Sequence, residues 1–358
     1  MAQALLFFLL KIIFFITQTN IQRCFLMIKL KPLKIAAIFA LGVILSSQAF
    51  STERLRVAGN FPAEHSVSRA MEMFKIEVEA ASDGEIKVDL FPAMQLGGAT
   101  ENVDQVRSGS IFAVFTSIAY FSRSVPEYEA VSLPFLFNNR DQAFRVMDGP
   151  VGKQLNKKME TLGFVNLGYG ELGFRHVTNN LRPITSVSDF KGLRIRLQPN
   201  EVHLQTFRAL GANPVSMDVS ELYSALQQGV MDAQENPYNI ISSRRFNEVQ
   251  KHFSDTGHFY DFINVAANKG LYKRLSEKHR KIVDDATKKS MEWQRKTAAE
   301  EEESWRQRLI DDGMIFTPIS EDLRTDLRNA TMTVSNSLKE RIDADFIALV
   351  IQEVQAKP

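Results

Sequence analysis

The feature that most limits the fold of this chain is a regular alternation of short apolar strands and amphipathic helices after residue 54. The spacing predicts a strand at 55–58, a helix at 66–81 with one apolar stripe, and an alternating strand at 86–90. A helix at 101–108 then leads to 111–115, a continuous apolar run that is typical of a strand buried on both faces. Strands and helices in this order predict a parallel sheet with helices packed on it.

The same alternation continues in the rest of the chain, which at 358 residues is long enough for two lobes with proper cores. We expect a helix at 141–162, strands at 164–168 and 193–197, and a helix that starts after Asp218, where Asp218 and Glu221 have capping-box spacing. The C-terminal third is predicted to be mostly helical, with one long charged helix at 277–312.

The first fifty residues differ from the rest and predict export. The apolar run at 33–45 has three lysines at or just before its start, Lys29, Lys31 and Lys34, and precedes small residues at 46–49, which is the pattern of a secretory signal peptide. We expect cleavage near Ala49 and suspect that Met27 is the natural start, so that 1–49 combine an extension and the signal. The alternative is a membrane anchor of two helices, formed with the apolar run at 4–16.

Cysteine usage narrows the chemistry further. The single cysteine, Cys24, lies before the predicted cleavage point and lacks the small neighbours of a lipoprotein signal. The mature chain is therefore expected to be a periplasmic protein without lipid anchor, disulfide, thiolate metal site or cysteine nucleophile.

Other function classes lack support in the sequence. There is no basic stripe for nucleic acid, no histidine pair in metal-ligand spacing and no Gly-x-Ser-x-Gly elbow, so no metal, cofactor or catalytic triad is predicted. A literal G-x-G-x-x-G occurs at 168–173. The residues after it predict an extended strand and not the helix that a dinucleotide fold needs, so a nucleotide site is not expected.

An arginine-bearing strand is the main candidate for binding. Leu193, Ile195 and Leu197 would face a core, which places Arg194 and Arg196 together on the opposite face. Guanidinium matches both oxygens of a carboxylate and stays charged at physiological pH. By spacing alone, the favoured explanation is that both arginines decorate a solvated strand face.

Ten phrases in order resemble the solute-binding receptors of tripartite ATP-independent periplasmic (TRAP) transporters, the family typified by the C4-dicarboxylate receptor, DctP. The resemblance runs from about residue 55 to about residue 310. Its markers lie at 61–65, 91–97, 133–137, 149–152, 173–175, 191–196, 210–214, 221–227, 234–237 and 246–251.

The resemblance implies which residues bind the ligand. It places the main carboxylate contact at Arg196, a second cationic contact at Arg175 and an amide donor at Asn236. It places Asn60 and Ser117 on the cleft wall. Gln198 stands where the family usually has proline, and Ser117 stands where some sialic-acid receptors have an acid, which argues against that ligand.

The resemblance also implies the fold and the partners. We expect a two-lobed α/β fold of the periplasmic-binding-protein type, with a mixed sheet flanked by helices in each lobe, a cleft between the lobes and a long C-terminal helix spanning both. Residues 52–172 and 261–300 would form lobe 1, and 173–260 and 301–355 lobe 2. The expected partners are a small carboxylate ligand and the TRAP permease subunits, and the receptor is expected to be a monomer.

Two functions remain open from the sequence. The first is a receptor that is not an enzyme and binds a dicarboxylate, a sugar acid or a hydroxy acid. The second is a secreted hydrolase or lyase that holds an acidic substrate with the same arginines while His65 or Glu64, in the loop after the first strand, acts as a base. Both residues are therefore candidates for the cleft.

Overall fold

The strands form a single sheet in a computed structural model that describes residues 52–356. The predicted signal peptide, its cleavage point, Met27 and Cys24 lie outside these residues. The nine strands are β1 Glu53–Gly59, β2 Ile86–Phe91, β3 Ala113–Ser117, β4 Phe164–Asn179, β5 Arg194–Leu197, β6 Asn213–Ser216, β7 Ala233–Asn236, β8 His252–Asn268 and β9 Ile315–Thr317.

Helices cover this sheet, and the longest follows β8 after one short helix. Their bounds are α1 Ser66–Ala81, α2 Ala99–Ser108, α3 Arg140–Asp148, α4 Pro150–Thr161, α5 Glu201–Ala209, α6 Val219–Gln227, α7 Tyr238–Ser243, α8 Lys269–Arg274, α9 Glu277–Asp311, α10 Glu321–Thr331 and α11 Ala344–Gln355. Within the described residues, none of these helices is both long and apolar enough to cross a bilayer.

The sheet is mixed, and its two longest strands, β4 and β8, lie side by side at its centre. The strand order is β2-β1-β3-β8-β4-β7-β5-β6, with β9 paired to β8. In the first half of the sheet β1 is parallel to β2 and β3, as predicted, and in the second half β5 is parallel to β6 and β7. The antiparallel pair β4 and β8 joins the two halves.

Helix α1 shows how apolar spacing becomes packing. Its predicted stripe is buried, with Val67, Met71 and Phe74 all fully inaccessible to solvent. The helix starts at the predicted residue because the imidazole of His65 accepts a hydrogen bond from the backbone N–H of Val67 at 3.2 Å. This cap takes the place of the Ser, Thr, Asp or Asn that usually satisfies a helix N-terminus.

The glycine motif at 168–173 lies within strand β4, which continues to Asn179, so the extended strand predicted after the motif is confirmed. Helix α9 explains why glycine is needed there. A Cβ at Gly170 would lie 2.7 Å from the Gln294 side chain and 2.9 Å from Sδ of Met291, both on α9. Gly173 has a φ of +111°, where β4 shifts its register against β8. The motif therefore allows close helix packing and a bulge.

One predicted element is wrong. The helix expected at 141–162 is two helices, α3 and α4, which meet at Gly149 and Pro150. Gly149 has an extended conformation, and Pro150 starts α4 at the position where a missing N–H leaves no hydrogen bond unmade. The apolar spacing continues across the break, which is why periodicity alone predicted one helix.

Candidate functional site

Strand β5 carries the predicted arginines, and its two faces differ as expected. Leu193, Ile195 and Leu197 are fully buried in a hydrophobic cluster of the second half of the sheet. Arg194 is exposed and forms an ion pair with Asp232, with its Nε 2.9 Å from the carboxylate. Arg196, two residues later, is fully buried. The same strand face thus holds one ordinary surface arginine and one buried arginine.

The guanidinium of Arg196 is held by neutral groups. Its Nε donates to the carbonyl of Met217 at 2.9 Å, and its Nη2 donates to the hydroxyl of Tyr120 at 3.2 Å. Within residues 52–356, Nη1 has no hydrogen-bond partner and no carboxylate forms an ion pair with Arg196. A buried cation without a counter-charge is unfavourable, so this group is suited to bind an anion.

Arg196 lines a cavity between the two halves of the sheet. About 20 Å³ of this cavity can hold the centre of a water molecule, within about 300 Å³ of space that is free of protein atoms and includes open solvent. The lining consists of polar and apolar side chains without an acidic residue among those described. Its members are Asn60, Phe61, Thr116, Ser117, Tyr120, Leu172, Arg196, Gln198, Val219, Asn236, Ile240 and Arg244.

A second cation on this lining, Arg244, was not predicted from the sequence. It directly follows α7, a short helix that begins after Pro237, and it lies one turn beyond Ile240, which also lines the cavity. Its Nη2 donates to the carbonyl of Asn60, and its Nε is buried with no partner in the described chain. Burial lowers the pKa of Arg244 to about 10, and the nearby charge of Arg196 adds to this effect.

A sequence signal for Arg244 did exist. The phrase Gln-Glu-Asn-Pro ends at residue 237, and a helix begun by that proline places 240 and 244 on one face, four residues apart. Positions 240 and 244 lie outside the phrases that carry the family resemblance, so the resemblance did not indicate Arg244.

Arg175 is buried as well, but it does not line the cavity. Its guanidinium donates to the side chain of Glu235 at 2.5 and 2.8 Å, to Asp261 at 3.0 Å and to Oδ1 of Asn236 at 3.1 Å. Burial alone would raise the pKa of Glu235, but the charge of Arg175 and a hydrogen bond from His258 outweigh it and hold this pKa well below its ordinary value. Arg175 is thus neutralised by protein carboxylates and positions Asn236.

The three predicted neutral residues do lie on the cavity lining. Asn60 donates to Oδ1 of Asn102 at 3.1 Å, which leaves its own Oδ1 without a partner among the described residues. Asn236 donates to Gln234 at 2.6 Å, and the hydroxyl of Ser117 donates to Asp261 at 2.8 Å. The structure therefore brings Asn60, Ser117 and Asn236 together with Arg196.

His65 and Glu64 do not join them. His65 is fully buried behind the cavity, where it caps α1 and stacks on Phe61 with 4.8 Å between ring centroids. Glu64 is exposed and lies 3.7 Å from Arg308. Neither residue contributes to the lining, so the base proposed for an enzyme does not reach the arginines. Within 52–356 no cluster of three potential metal-ligating side chains is found either.

The buried cap residue gives a testable pH dependence. Burial lowers the pKa of His65 to about 3, whereas an unfolded histidine titrates at about 6.5. Unfolding therefore takes up a proton below pH 6.5, and stability falls as the pH drops from 6.5 towards 3. Between pH 7.5 and 5 we expect His65 to account for a loss of about 2 kcal/mol in the free energy of unfolding.

Urea unfolding of the wild-type protein and of His65→Asn at both pH values measures this loss. Asparagine keeps the cap but does not titrate, and the packing defect it introduces is the same at both pH values. The variant should lose about 2 kcal/mol less than the wild type on acidification. Equal losses in the two proteins would contradict the assignment.

Several hydrogen bonds connect the two halves of the sheet beside the cavity. Asp218, the N-cap of α6, also accepts hydrogen bonds from the backbone N–H and the hydroxyl of Thr100 in α2, at 3.0 and 3.1 Å. Asn200 donates to the hydroxyl of Ser122 at 3.1 Å. Together with the bonds of Arg196 to Tyr120 and of Arg244 to Asn60, these contacts hold the halves against each other around the cavity.

A mixed sheet whose halves meet over a buried, cationic cavity is the architecture of a solute-binding receptor. The chain belongs to the family described as bacterial extracellular solute-binding protein, family 7, whose profile matches residues 57–341. This is the family of DctP and the TRAP receptors, so the resemblance seen in the sequence is confirmed.

Individual relatives agree with this assignment. The 2,3-diketo-L-gulonate-binding periplasmic protein of Escherichia coli is 32% identical over 283 residues, 79% of this chain and 85% of that protein. The C4-dicarboxylate-binding periplasmic protein of Rhodobacter capsulatus is 32% identical over 279 residues, 77% of this chain and 84% of that protein.

A solved relative also supports the predicted fold class. A TRAP periplasmic solute-binding protein from a Polaromonas species, bound to D-erythronate, is 35% identical with a TM-score of 0.81 and covers 85% of this chain and 100% of its own. The expected α/β fold of this receptor type, with mixed strands flanked by helices, is confirmed, and in this chain the strands of both halves join in one nine-stranded sheet instead of a separate sheet in each lobe.

Proposed function

We propose that this TRAP-type receptor captures a small organic acid through an ion pair between the ligand carboxylate and Arg196, and delivers the acid to the TRAP permease. The observation that carries the proposal is the buried Arg196 guanidinium on the cavity lining, held by Met217 and Tyr120 and without a protein carboxylate among the described residues. An anionic ligand supplies the missing charge and the partner for Nη1.

The other lining residues orient the acid. Asn236 is held by Arg175 and Gln234, so its amide is presented to the cavity in a fixed position. Asn60 and Ser117 add polar contacts from the first half of the sheet. Arg175 acts through Asn236 and not by direct contact, because its donors are already engaged by Glu235 and Asp261.

Capture requires that the two halves separate and close. The cavity has almost no room for water in this conformation, so an acid of several carbon atoms enters only when the halves move apart. We place the hinge where β4 shifts its register between Glu171 and Gly173, opposite Asp261 of β8. This hinge corresponds to lobes of 52–172 with 261–300 and of 173–260 with 301–355.

The cellular setting follows from the same proposal. The signal peptide exports the chain to the periplasm without lipid attachment, where it works as a monomer and needs no cofactor. Relatives described as periplasmic binding proteins support this location. The enzyme alternative loses its support because His65 caps α1 and Glu64 faces solvent, which leaves the arginines without a neighbouring base.

A thermal-shift screen of organic acids tests the function. An acid at about one hundred times its dissociation constant should stabilise the folded protein by about 2.7 kcal/mol. The screen should contain sugar acids, hydroxy acids and dicarboxylates, with the matching neutral sugars and alcohols as controls. NMR of each stabilising acid after incubation should show it unchanged. The proposal fails if no acid stabilises the protein, or if an acid is converted.

A further inference from the structure

We propose that the cavity selects a hydroxylated dicarboxylate, an acid with a carboxylate at each end and at least one hydroxyl group between them. This inference rests on the proposed function, since it assumes that the cavity lined by Arg196 and Arg244 is the ligand site. It adds a second anionic group and a hydroxyl group to the single carboxylate proposed above.

Charge balance indicates the second carboxylate. Arg196 and Arg244 lie on one lining that has no acidic residue in the described part of the chain, and neither forms an ion pair there. The fully buried Arg175 shows the contrast, because two carboxylates surround it. A monoacid would neutralise only one of the two cavity cations and leave the other without a counter-charge.

The hydrogen-bond donors that lack a partner also indicate two carboxylates. Nη1 of Arg196 and Nε of Arg244 are buried N–H groups with no acceptor in residues 52–356. The two cations enter the cavity from different elements, since Arg196 lies in β5 and Arg244 follows α7. Their other donors are held by different groups, the carbonyl of Met217 and the carbonyl of Asn60. Two separately anchored guanidiniums fit two separate carboxylates.

The unmatched acceptors indicate the hydroxyl groups. Three buried oxygens on the same lining, Oδ1 of Asn60, Oγ1 of Thr116 and Oε1 of Gln198, have no donor within the described chain. The orientation of Asn60 is fixed, because its Nδ2 donates to Asn102, whose own Nδ2 donates to the carbonyl of Leu96. A plain dicarboxylate is ionised at neutral pH and offers only acceptors, whereas hydroxyl groups donate.

Gln198 is a hydrogen-bond acceptor on the cavity wall that the family resemblance does not lead one to expect. It stands where the family resemblance leads one to expect proline, which has no side-chain oxygen, and it is buried on the cavity wall. A ligand that donates to Gln198 makes a contact that a receptor with proline could not make.

Calorimetry with matched acids tests the inference in the wild-type protein. Tartrate and the threonate of matching configuration differ only in the second terminal carboxylate, and succinate is tartrate without its hydroxyl groups. Galactarate and galactonate repeat the first comparison with a longer chain. We expect at least one diacid to bind about 10- to 100-fold more tightly than its monoacid, and tartrate to bind more tightly than succinate.

Two neighbouring variants identify the second cation. Arg244→Gln should weaken diacid binding by about the same 10- to 100-fold and leave monoacid binding nearly unchanged. Arg245→Gln is the matched control, since Arg245 is exposed and adjacent, and it should change neither. The melting temperature of each ligand-free variant shows that it folds.

The outcomes separate this inference from the proposed function. The ligand does not need a second carboxylate if diacid and monoacid bind the wild type with equal affinity. The same conclusion follows if Arg244→Gln weakens the binding of both acids equally. If succinate binds as tightly as tartrate, the proposal that ligand hydroxyl groups donate to the cavity oxygens is wrong. If monoacids bind as tightly as the matching diacids, the proposed function stands while the inference is wrong, whereas failure of every acid to bind would refute the proposed function itself.

Discussion

Replacement of Arg196 by alanine is expected to abolish binding of organic acids. The guanidinium is buried on the cavity wall and has no protein carboxylate to neutralise it among the described residues, so the ligand carboxylate is its proposed counter-charge. Removal of one partner of such a buried ion pair weakens binding by about 2–5 kcal/mol, or roughly 30- to 5,000-fold. Isothermal calorimetry with any acid identified by the thermal-shift screen measures this loss.

The same strand provides the matched control. Arg194→Ala removes an exposed arginine two residues away whose partner is Asp232, and it should leave affinity unchanged. Arg196→Lys should restore only part of the affinity, because an ammonium keeps the charge but not the planar pair of donors. Near-wild-type binding by Arg196→Ala would refute the role of Arg196.

The ligand-free stability of Arg196→Ala offers a second check. Wild-type Arg196 is a buried cation without a counter-charge in the described chain, so its removal relieves an unfavourable charge while it also loses two hydrogen bonds. We expect the variant to unfold at a denaturant concentration close to that of the wild type. This separates a binding defect from a folding defect.

Replacement of Arg175 by methionine is expected to cause a large loss of stability, unlike replacement of Arg196 by alanine. Arg175 donates to Glu235 and Asp261, and all three side chains are buried. Methionine keeps much of the side-chain volume but leaves two buried carboxylates without their cation. Breaking a buried ion pair by removal of one partner destabilises a protein by about 3–5 kcal/mol. Urea unfolding at pH 7 measures the loss.

Two further variants show whether charge causes that loss. Arg175→Met combined with Glu235→Gln removes one of the stranded charges and should recover part of the stability. Arg54→Met breaks a surface ion pair between Arg54 on β1 and Asp89 on β2, and it should change stability little. A small effect of Arg175→Met, similar to that of Arg54→Met, would contradict the assigned role of the buried cluster.

The sequence predicted the fold well because local pattern and fold agree in most elements. The stripe on α1, the alternation in β5 and the long helix α9 were all visible in the spacing of apolar residues. The break between α3 and α4 was missed because the apolar spacing continues across Gly149 and Pro150, and only backbone chemistry ends the first helix.

The site was harder to predict because its chemistry depends on distant residues. Periodicity treats Arg194 and Arg196 alike, and the difference arises because Tyr120 and Met217 cover only the second one. Arg175 looked available until its partner Glu235, sixty residues away in the chain, was placed beside it. Arg244 owes its position to a helix set by Pro237 and to the carbonyl of Asn60 across the cavity.

The contact between Asp218 and Thr100 has a consequence for how ligand capture can be observed. Helix α2 begins after Gly98, which has no side chain to cap it, and the carboxylate of Asp218 from the other half of the sheet accepts the hydrogen bond of its second residue. When the halves separate, that amide hydrogen is released to solvent and exchanges. Deuterium uptake in the first turn of α2 therefore reports on opening, and the ligand should slow it without any label or reporter group.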